Sequence, residues 1–452
     1  MPKQFALLIF IFIILYLFYM DRKNNEGVSH AIWIPFIWMA LAGSRTVGQW
    51  LNLGPPQMIT TDAYLEGSPI DRSVYMMLIF SGIFVLLKRR LNWSSIFKDN
   101  TWIWLYFAFG LLSCLWSDYT FVSFKRWFKA LGNVIMVLVV LTEARPYVAF
   151  GVVLKRLAFL LLPLSVLFVK FYPELGRAYA KSGQPMFTGV GFQKNALGQI
   201  CLVTGIYFAW NLLISCRAKN LSGQKLHFSI YLIIVSMLIW LFYMANSATS
   251  FACMVVAIGL FAFSQYPAIK RNPQKILVIL IICAVLFAIM EFAIGIKDTI
   301  IALLGRKPDF TERVDIWKTY FSLVRNPIVG YGFESFYASA RMQNLADDVF
   351  SAHNGYLEMY LNLGIIGVLF ILAWIISGLK KFHSYLLINY PAAILRLALI
   401  VIVCLYSWTE ATFAGVNNIF LFILFAVISV PKKEKTGQNK VMAATGAILK
   451  NR

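Results

Sequence analysis

Charged residues are scarce in this chain of 452 residues, and acidic residues are the scarcer kind. Only 13% of the residues are charged, while 60% are hydrophobic and the mean hydropathy is +0.71. An ordinary soluble domain is about a quarter charged. A chain with so little polar surface cannot cover itself in water, which excludes a soluble enzyme and a disordered tail. The composition predicts an integral membrane protein.

Cysteine and histidine are also few. The chain has six cysteines, none in a CxxC pair, and four histidines, with no Cys/His cluster at the spacing of metal ligands. This excludes a disulfide-stapled secreted module, and the sequence predicts no metal and no other cofactor. We interpret the cysteines as small buried hydrophobic side chains.

What charge there is has mostly one sign. Lys and Arg number 41 and Asp and Glu 20, so the formal net charge is +21. In a membrane protein this positive surplus indicates contact with anionic lipid headgroups, basic loops on the cytoplasmic side and binding of a phosphate-bearing substrate. We expect membrane lipids as partners and no nucleic acid.

Hydropathy predicts an all-α polytopic membrane protein, a bundle of about twelve or thirteen transmembrane helices, since each span needs roughly 20 mainly apolar residues. The first segment is interpreted as a retained helix and not a signal peptide, because no small-residue cleavage site follows it before Asp21. The predicted spans are about 4–20, 31–44, 72–88, 101–116, 129–143, 154–170, 194–214, 227–244, 247–265, 275–296, 355–379, 392–409 and 414–430.

Runs of Lys and Arg orient these spans. The basic runs at about 88–90, 217–225, 270–275, 380–381 and 432–435 are expected in the cytoplasm, so the connections 171–193, 297–352 and 409–412 face outward. Thirteen spans would place Met1 outside and twelve would place it inside; both are open. The predicted organisation is N-terminal helices in 1–296, a large outward loop in 297–353, C-terminal helices in 354–431 and a basic tail in 432–452.

The long outward loop contains a predicted amphipathic helix. Asp309 is a capping residue, apolar residues follow at helical spacing, and the pattern ends before Asn326. Arg313 lies four residues before Trp317, with Arg306 just upstream. Cations gathered near a helix N-terminus repel one another unless an anion joins them, and a diphosphate matches the planar donor fork of Arg. An arginine that reaches lipid headgroups or pairs with a neighbouring carboxylate is an equally open interpretation.

His353 is the histidine placed beside this outward loop, just before the next span. An imidazole is suited to taking a proton from an attacking hydroxyl. The competing interpretation is an interfacial histidine that only caps a helix. Asn354, next to it, and Glu410, in the turn between the last two spans, are candidates for orienting His353, although Glu410 also fits an ordinary boundary carboxylate.

Further cations break the positive-inside pattern. Lys194 follows a glycine turn at 189–191 whose backbone N–H groups would suit a phosphate. Lys125 and Arg126 fall on a predicted outward connection, so either the span count is locally wrong or they face a ligand. The outward cations, where we would expect the diphosphate, are Arg45, Lys125, Arg126, Lys194, Arg306, Lys307 and Arg313.

Several blocks of sequence, in order, resemble the O-antigen ligase and polymerase superfamily. They are Arg313-x-x-x-Trp317, the run from Asn326 to Phe336 (NPIVGYGFESF), the run from His353 to Glu358 (HNGYLE) and the run from Leu363 to Gly367 (LGIIG). Blocks at 43–51, 115–119 and 194–198 look like exopolysaccharide polymerases of the succinoglycan type. The stretch before Trp317 departs from that branch, because it reads DFTER where TLTGR is usual, and this puts the donor preference in doubt.

The resemblance implies a glycosyltransferase of the bacterial inner membrane whose active site faces the periplasm. It would take a sugar chain from undecaprenyl diphosphate and join it to an acceptor hydroxyl. The family's catalytic arginine and histidine map onto Arg313 and His353. The resemblance implies no nucleotide sugar and no metal, and it suggests a chain-length regulator and export machinery as further partners.

The resulting hypothesis is an inverting, metal-independent polymerase of surface polysaccharide. Arg313, with Arg306 and Arg126 or Lys194, would bind the diphosphate, and His353 would deprotonate the acceptor. Trp317, Tyr331 and Phe333 would border the sugar path. One alternative is a ligase that transfers finished polysaccharide to lipid A-core, and an alternative of another class is a transporter of lipid-linked sugars. A transporter is expected to carry ionisable residues inside its helices and inverted repeats.

Overall fold

The computed structural model describes residues 1–24, 27–51, 68–179, 183–214, 228–294, 310–339, 351–413 and 415–431. Within these ranges the protein is a helix bundle with one short hairpin. The helices are α1 (Lys3–Asn24), α2 (Trp33–Gly43), α3 (Val47–Trp50), α4 (Pro69–Lys88), α5 (Trp93–Asp99), α6 (Thr101–Ser113), α7 (Thr120–Leu141), α8 (Pro146–Phe171), α9 (Pro173–Gly176), α10 (Lys194–Leu213), α11 (Phe228–Ala245), α12 (Ala248–Phe263), α13 (Pro267–Arg271), α14 (Lys275–Ile294), α15 (Phe310–Ser322), α16 (Gly355–Tyr385), α17 (Tyr390–Tyr406) and α18 (Asn418–Val427). The antiparallel hairpin pairs β1 (Arg177–Tyr179) with β2 (Pro185–Phe187).

The apolar helices are those of a multi-pass membrane protein. Five of the described helices are long and apolar enough to cross a bilayer, namely α1, α4, α8, α10 and α16, and shorter apolar helices accompany them. In the most apolar stretch of α8 and of α10, 83% and 78% of the residues are buried, whereas in α1 the share is 22%. The core therefore lies around α8 and α10, and α1 exposes most of its apolar surface, as a helix that faces lipid does.

Helix α1 runs antiparallel to α8. The Lys3 ammonium lies 3.0 Å from the Glu174 carboxylate, and the Tyr172 hydroxyl donates to the Lys3 carbonyl. At the other end of α1, Asp21 is buried between Lys155 and Arg156 of α8, at 2.5 and 2.7 Å. The first residues of the chain thus lie on the same side of the bundle as the connection that follows α8.

Helix α7 starts earlier than the sequence predicted. Hydropathy placed Lys125 and Arg126 on a connection before a span at about 129, whereas the helix begins at Thr120 and includes both residues in its first two turns. The charged side chains lower the average hydropathy of these turns, so a hydropathy window assigns them to a loop. The cations are helical and partly buried instead of lying on a connection.

The described part of the loop predicted to face outward packs on α16 through an aromatic core. Tyr320, Tyr331, Phe336 and Tyr337 are buried together with Leu361. Their rings meet edge to face, for example Tyr331 and Phe336 at 5.1 Å between centroids. This core fixes α15 against the start of α16, in the region where the sequence predicted chemistry.

Backbone contacts also join this loop to a kink in α16. Gly364 has φ 62° and interrupts the helix, and a Cβ at that position would lie 2.2 Å from the Ile328 carbonyl oxygen. The Ile365 and Gly332 N–H groups donate to the Pro327 and Asn362 carbonyls at 2.8 Å. Only glycine allows this left-handed conformation at such close approach. The segments 326–336 and 363–367, which both carry the family resemblance, therefore pack directly against each other.

Candidate active site

His353 lies at the entrance to α16 with its side chain about one-third exposed. Its backbone has φ 48°, a left-handed conformation that few residues other than glycine adopt. Asn354 caps α16, because its side-chain oxygen accepts from the N–H groups of Tyr356 and Leu357 at 3.0 and 3.1 Å. Asn354 is thus the residue that caps the helix, and His353 directly precedes it at the N-terminal end of α16.

Glu410 is the acidic partner of His353. Its Oε2 lies 3.3 Å from the His353 Nδ1, and its Oε1 accepts from the Asn195 side-chain amide at 2.7 Å. Asn195 is the second residue of α10, so three segments that are far apart in sequence meet at one carboxylate. A carboxylate on Nδ1 holds the imidazole in one orientation and leaves Nε2 for a substrate. The structure thus places Glu410 beside the imidazole, and its role in orienting His353 stays a prediction.

Glu358, one turn into α16, holds the backbone on the other side of His353. It is buried, and its Oε1 accepts from the Tyr337 hydroxyl at 2.7 Å, the Ala352 N–H at 2.8 Å and the Ser351 hydroxyl at 3.3 Å. The Ser351 hydroxyl in turn accepts from the His353 N–H at 3.1 Å. Burial, together with the charge of Glu358, raises the pKa of the Tyr337 phenol well above its usual range. Tyr337 thus stays a donor to Glu358.

Helix α15 connects the arginine to this histidine. The Trp317 indole N–H donates to the Ala352 carbonyl at 2.8 Å, one residue before His353. Arg313 lies on α15 four residues before Trp317, and residues at that spacing share a helix face. The side chains of α15 are described from Ile316 onward, and Arg306 and Lys307 lie outside the described residues. The described contact between α15 and the histidine segment is thus that of Trp317, one turn after Arg313 along the chain.

Other cations predicted to bind the diphosphate have separate environments. The Arg126 guanidinium donates to the Glu334 carbonyl, and the Lys125 ammonium lies 5.1 Å from the Phe121 ring centroid. Arg45 donates to a backbone carbonyl, that of Leu175. Burial lowers the pKa of the Arg45 guanidinium below its usual value.

Lys194 and the glycine turn before it are not arranged as a phosphate cradle. The Val190 N–H donates to the Ser165 hydroxyl and the Gly191 N–H to the Thr188 carbonyl, so both are used inside the protein. Lys194 instead lines a cavity of about 520 Å³ between β2, the start of α10 and the turn between α11 and α12.

Two of the aromatic residues predicted to border the sugar path are interior. Tyr331 and Phe333 are buried, with 4% and 2% of their surface exposed. Phe333 helps to enclose a small cavity of about 20 Å³, room for one water molecule, which is also lined by Glu334, Glu358 and Asn362. Trp317 is half-buried beside the histidine segment. It is therefore the one of the three that lies next to His353.

Sequence reasoning assigned no role to Asn195, Glu358 or Glu334. All three lie in segments that carry the family resemblance. Their contacts could not be predicted, because those contacts join distant parts of the chain, 215 residues apart in the case of Asn195 and Glu410. Glu334 has φ 47°, and its carboxylate accepts from the Gly415 N–H. The turn between α17 and α18 thus contacts His353 through Glu410 and Glu334 through Gly415.

Residues 232–372 match a family model described as O-Antigen ligase. The matched segment runs from α11 into α16 and includes Arg313, Trp317, His353 and Glu358. The resemblance to the O-antigen ligase and polymerase superfamily is confirmed over this segment. No curated protein matches the chain.

Proposed function

We propose that this protein, which carries an O-antigen ligase domain, is a membrane glycosyltransferase that polymerises surface polysaccharide from undecaprenyl-diphosphate-linked repeats at the periplasmic face of the inner membrane. The observation that carries the proposal is the bond between Trp317 and Ala352, which brings the arginine helix against the histidine segment. The contact of His353 with Glu410 supports a role for the imidazole in proton transfer.

In the proposed reaction, His353 is the general base. With Nδ1 facing Glu410, Nε2 takes the proton from a hydroxyl of the acceptor sugar. The hydroxyl oxygen forms a bond to the anomeric carbon of the donor as the bond from that carbon to the phosphate oxygen breaks. The electron pair leaves with the undecaprenyl diphosphate, and the anomeric centre is inverted. No covalent enzyme intermediate is needed.

Arg313 is the group proposed to stabilise the leaving diphosphate, with Arg306 and Arg126 as further cations. A guanidinium presents paired donors that match phosphate oxygens, and its interaction grows stronger as negative charge develops on the leaving group. Arg126 lies on α7, where its guanidinium already donates to the Glu334 carbonyl. We therefore give it a supporting role.

A ligase is the second candidate, and the description of the matched family favours it. It would use the same arginine and histidine and differ in the acceptor. Deleting the gene separates the two, because loss of a polymerase leaves single lipid-linked repeats, whereas loss of a ligase leaves long polymer that is not attached to its final acceptor.

The buried charges of α1 and α8 are the feature that a transporter would use. Asp21, Lys155 and Arg156 form one cluster, in which the carboxylate binds both cations. The cluster lies toward the end of the bundle opposite Lys3 and the hairpin, away from His353 and Glu410. It therefore does not account for the polar groups that surround His353, and we favour the transferase.

The test supplies purified protein with lipid-linked repeats and with neither nucleotide nor added metal, and measures chain growth. We expect growth with the wild type, and loss of growth with Arg313→Ala and with His353→Ala. Lys318→Ala is the matched control, because it removes a cation from the same helix outside the proposed site, and it should retain activity. Growth that survives both test substitutions would reject the mechanism.

A further inference from the structure

A cavity near the start of α10 has no role in the proposed reaction. It has a volume of about 520 Å³, within the roughly 300–1,000 Å³ typical of small-molecule sites. Strand β2, the start of α10 and the turn between α11 and α12 line it. Its position is close to the proposed chemistry, because Lys194 lines it and the next residue, Asn195, donates to Glu410.

The lining of the cavity is suited to a sugar. Tyr243 offers aromatic surface to the apolar face of a pyranose ring, since 78% of its surface is exposed. The side chains of Gln184 and Asn246 lie at the same cavity, and amides both donate to and accept from hydroxyl groups. Aromatic surface combined with amides is a lining that binds a saccharide better than it binds an acyl chain.

The charge of the cavity indicates an acidic ligand. Of the described residues that line it, Lys194 is a cation and none is a carboxylate. Within the described part of the chain Lys194 makes no ion pair. An ammonium beside a sugar site would attract a carboxylate or another acidic substituent of the glycan.

We propose that this cavity is the acceptor-saccharide subsite and that Lys194 selects a glycan with an acidic substituent. The inference rests on the proposed transferase function and deepens it. It assigns Lys194 a role in binding the acceptor, whereas the sequence analysis assigned it to the diphosphate. The bound saccharide then extends from the cavity past the start of α10 toward the His353–Glu410 pair, where its hydroxyl reacts.

The kinetic test uses the repeat oligosaccharide released from the host's lipid-linked pool as a soluble acceptor, together with its carboxyl-reduced form. We expect Lys194→Gln to raise the acceptor KM about tenfold, equivalent to about 1.4 kcal/mol, with kcat little changed. Carboxyl reduction should raise KM for the wild type by a similar factor and have no further effect on the variant. Lys170→Gln is the control. It removes an exposed lysine at the C-terminal end of α8 that is not among the residues lining the cavity, and it should behave as wild type.

Three results would overturn the inference while leaving the transferase intact: an unchanged acceptor KM in Lys194→Gln, equal KM values for the two acceptor forms, or a repeat without any acidic group. If instead the wild type elongates nothing, the proposed function fails and a binding measurement decides the inference.

That measurement labels Tyr243→Cys with a membrane-impermeant maleimide, in membranes from a strain that makes the saccharide and from one that does not. The saccharide should protect the Tyr243→Cys variant, and it should not protect Tyr179→Cys, which lies on β1, is not among the residues that line the cavity and is 67% exposed. Equal protection in both strains would assign the cavity to membrane lipid and overturn the saccharide subsite.

Discussion

Replacing Glu358 tests how the backbone before α16 positions His353. In Glu358→Ala, the N–H of Ala352 and the hydroxyl of Tyr337 lose their acceptor. Both residues are almost fully buried, with 1% and 8% of their surface exposed, so water cannot replace the carboxylate without rearrangement. Glu358→Gln is the matched control, because the amide has the same shape and keeps an oxygen that can accept.

The size of the effect follows from these two donors. A buried donor left without a partner costs about 1–3 kcal/mol, so the alanine variant should lose about 2–6 kcal/mol of unfolding free energy. The glutamine variant should lose about 1 kcal/mol at most, since its side-chain oxygen can still accept from these donors. Because the released segment contains His353, turnover should fall about 100-fold in the alanine variant, the cost of misplacing a catalytic group by about 1 Å.

The assay pairs unfolding in SDS, followed by circular dichroism, with chain growth on lipid-linked repeats. The order wild type, then glutamine, then alanine is expected in both measurements. If the alanine variant matches the glutamine variant within about 0.5 kcal/mol and has the same turnover, Glu358 does not position the histidine segment and the reasoning is wrong.

Three other perturbations follow from the structure. Asp21→Ala should destabilise the protein by about 3–5 kcal/mol in SDS titration, because it leaves Lys155 buried without its carboxylate, and Asp21→Ala/Lys155→Ala should recover part of this loss. Gly364→Ala should lower the thermal unfolding temperature, since its Cβ would meet the Ile328 backbone at 2.2 Å, and an unchanged temperature would argue against the kink. Glu410→Gln should lower kcat about tenfold or more with little effect on stability, because the imidazole loses the carboxylate that holds its orientation, whereas wild-type kcat would remove Glu410 from the mechanism.

The positions of the helices could be predicted from apolar runs, because length and hydropathy are local properties. Each predicted span contains a described helix. The largest boundary errors are the starts of two helices: α7 begins at Thr120 and α8 at Pro146, well before the predicted starts at about 129 and 154. Lys125 and Arg126 account for the error in α7. The kink of α16 could not be predicted, because it depends on the backbone of Ile328 approaching Gly364. Asp21 is similar: the sequence shows a polar flank, and only its packing on α8 explains its burial.

The site residues divide in the same way. His353 and Arg313 could be named from residue type, order and family resemblance. The contact of Glu410 with both His353 and Asn195 joins three helix ends, and nothing in the local sequence encodes which ends meet. The role of Glu358 is hidden for another reason, because a glutamate in the first turn of a helix is common and its contacts with Tyr337 and Ala352 depend on how the loop folds.

The most direct test of the account is the single-turnover rate of chain growth for His353→Asn. Asparagine tolerates the left-handed backbone that His353 adopts, so the variant should fold as the wild type does while lacking the base. General base catalysis contributes about 10²–10⁴-fold, and we predict a loss in this range with unfolding in SDS unchanged. A folded His353→Asn protein whose rate is within a few-fold of wild type would contradict the claim that His353 is the base.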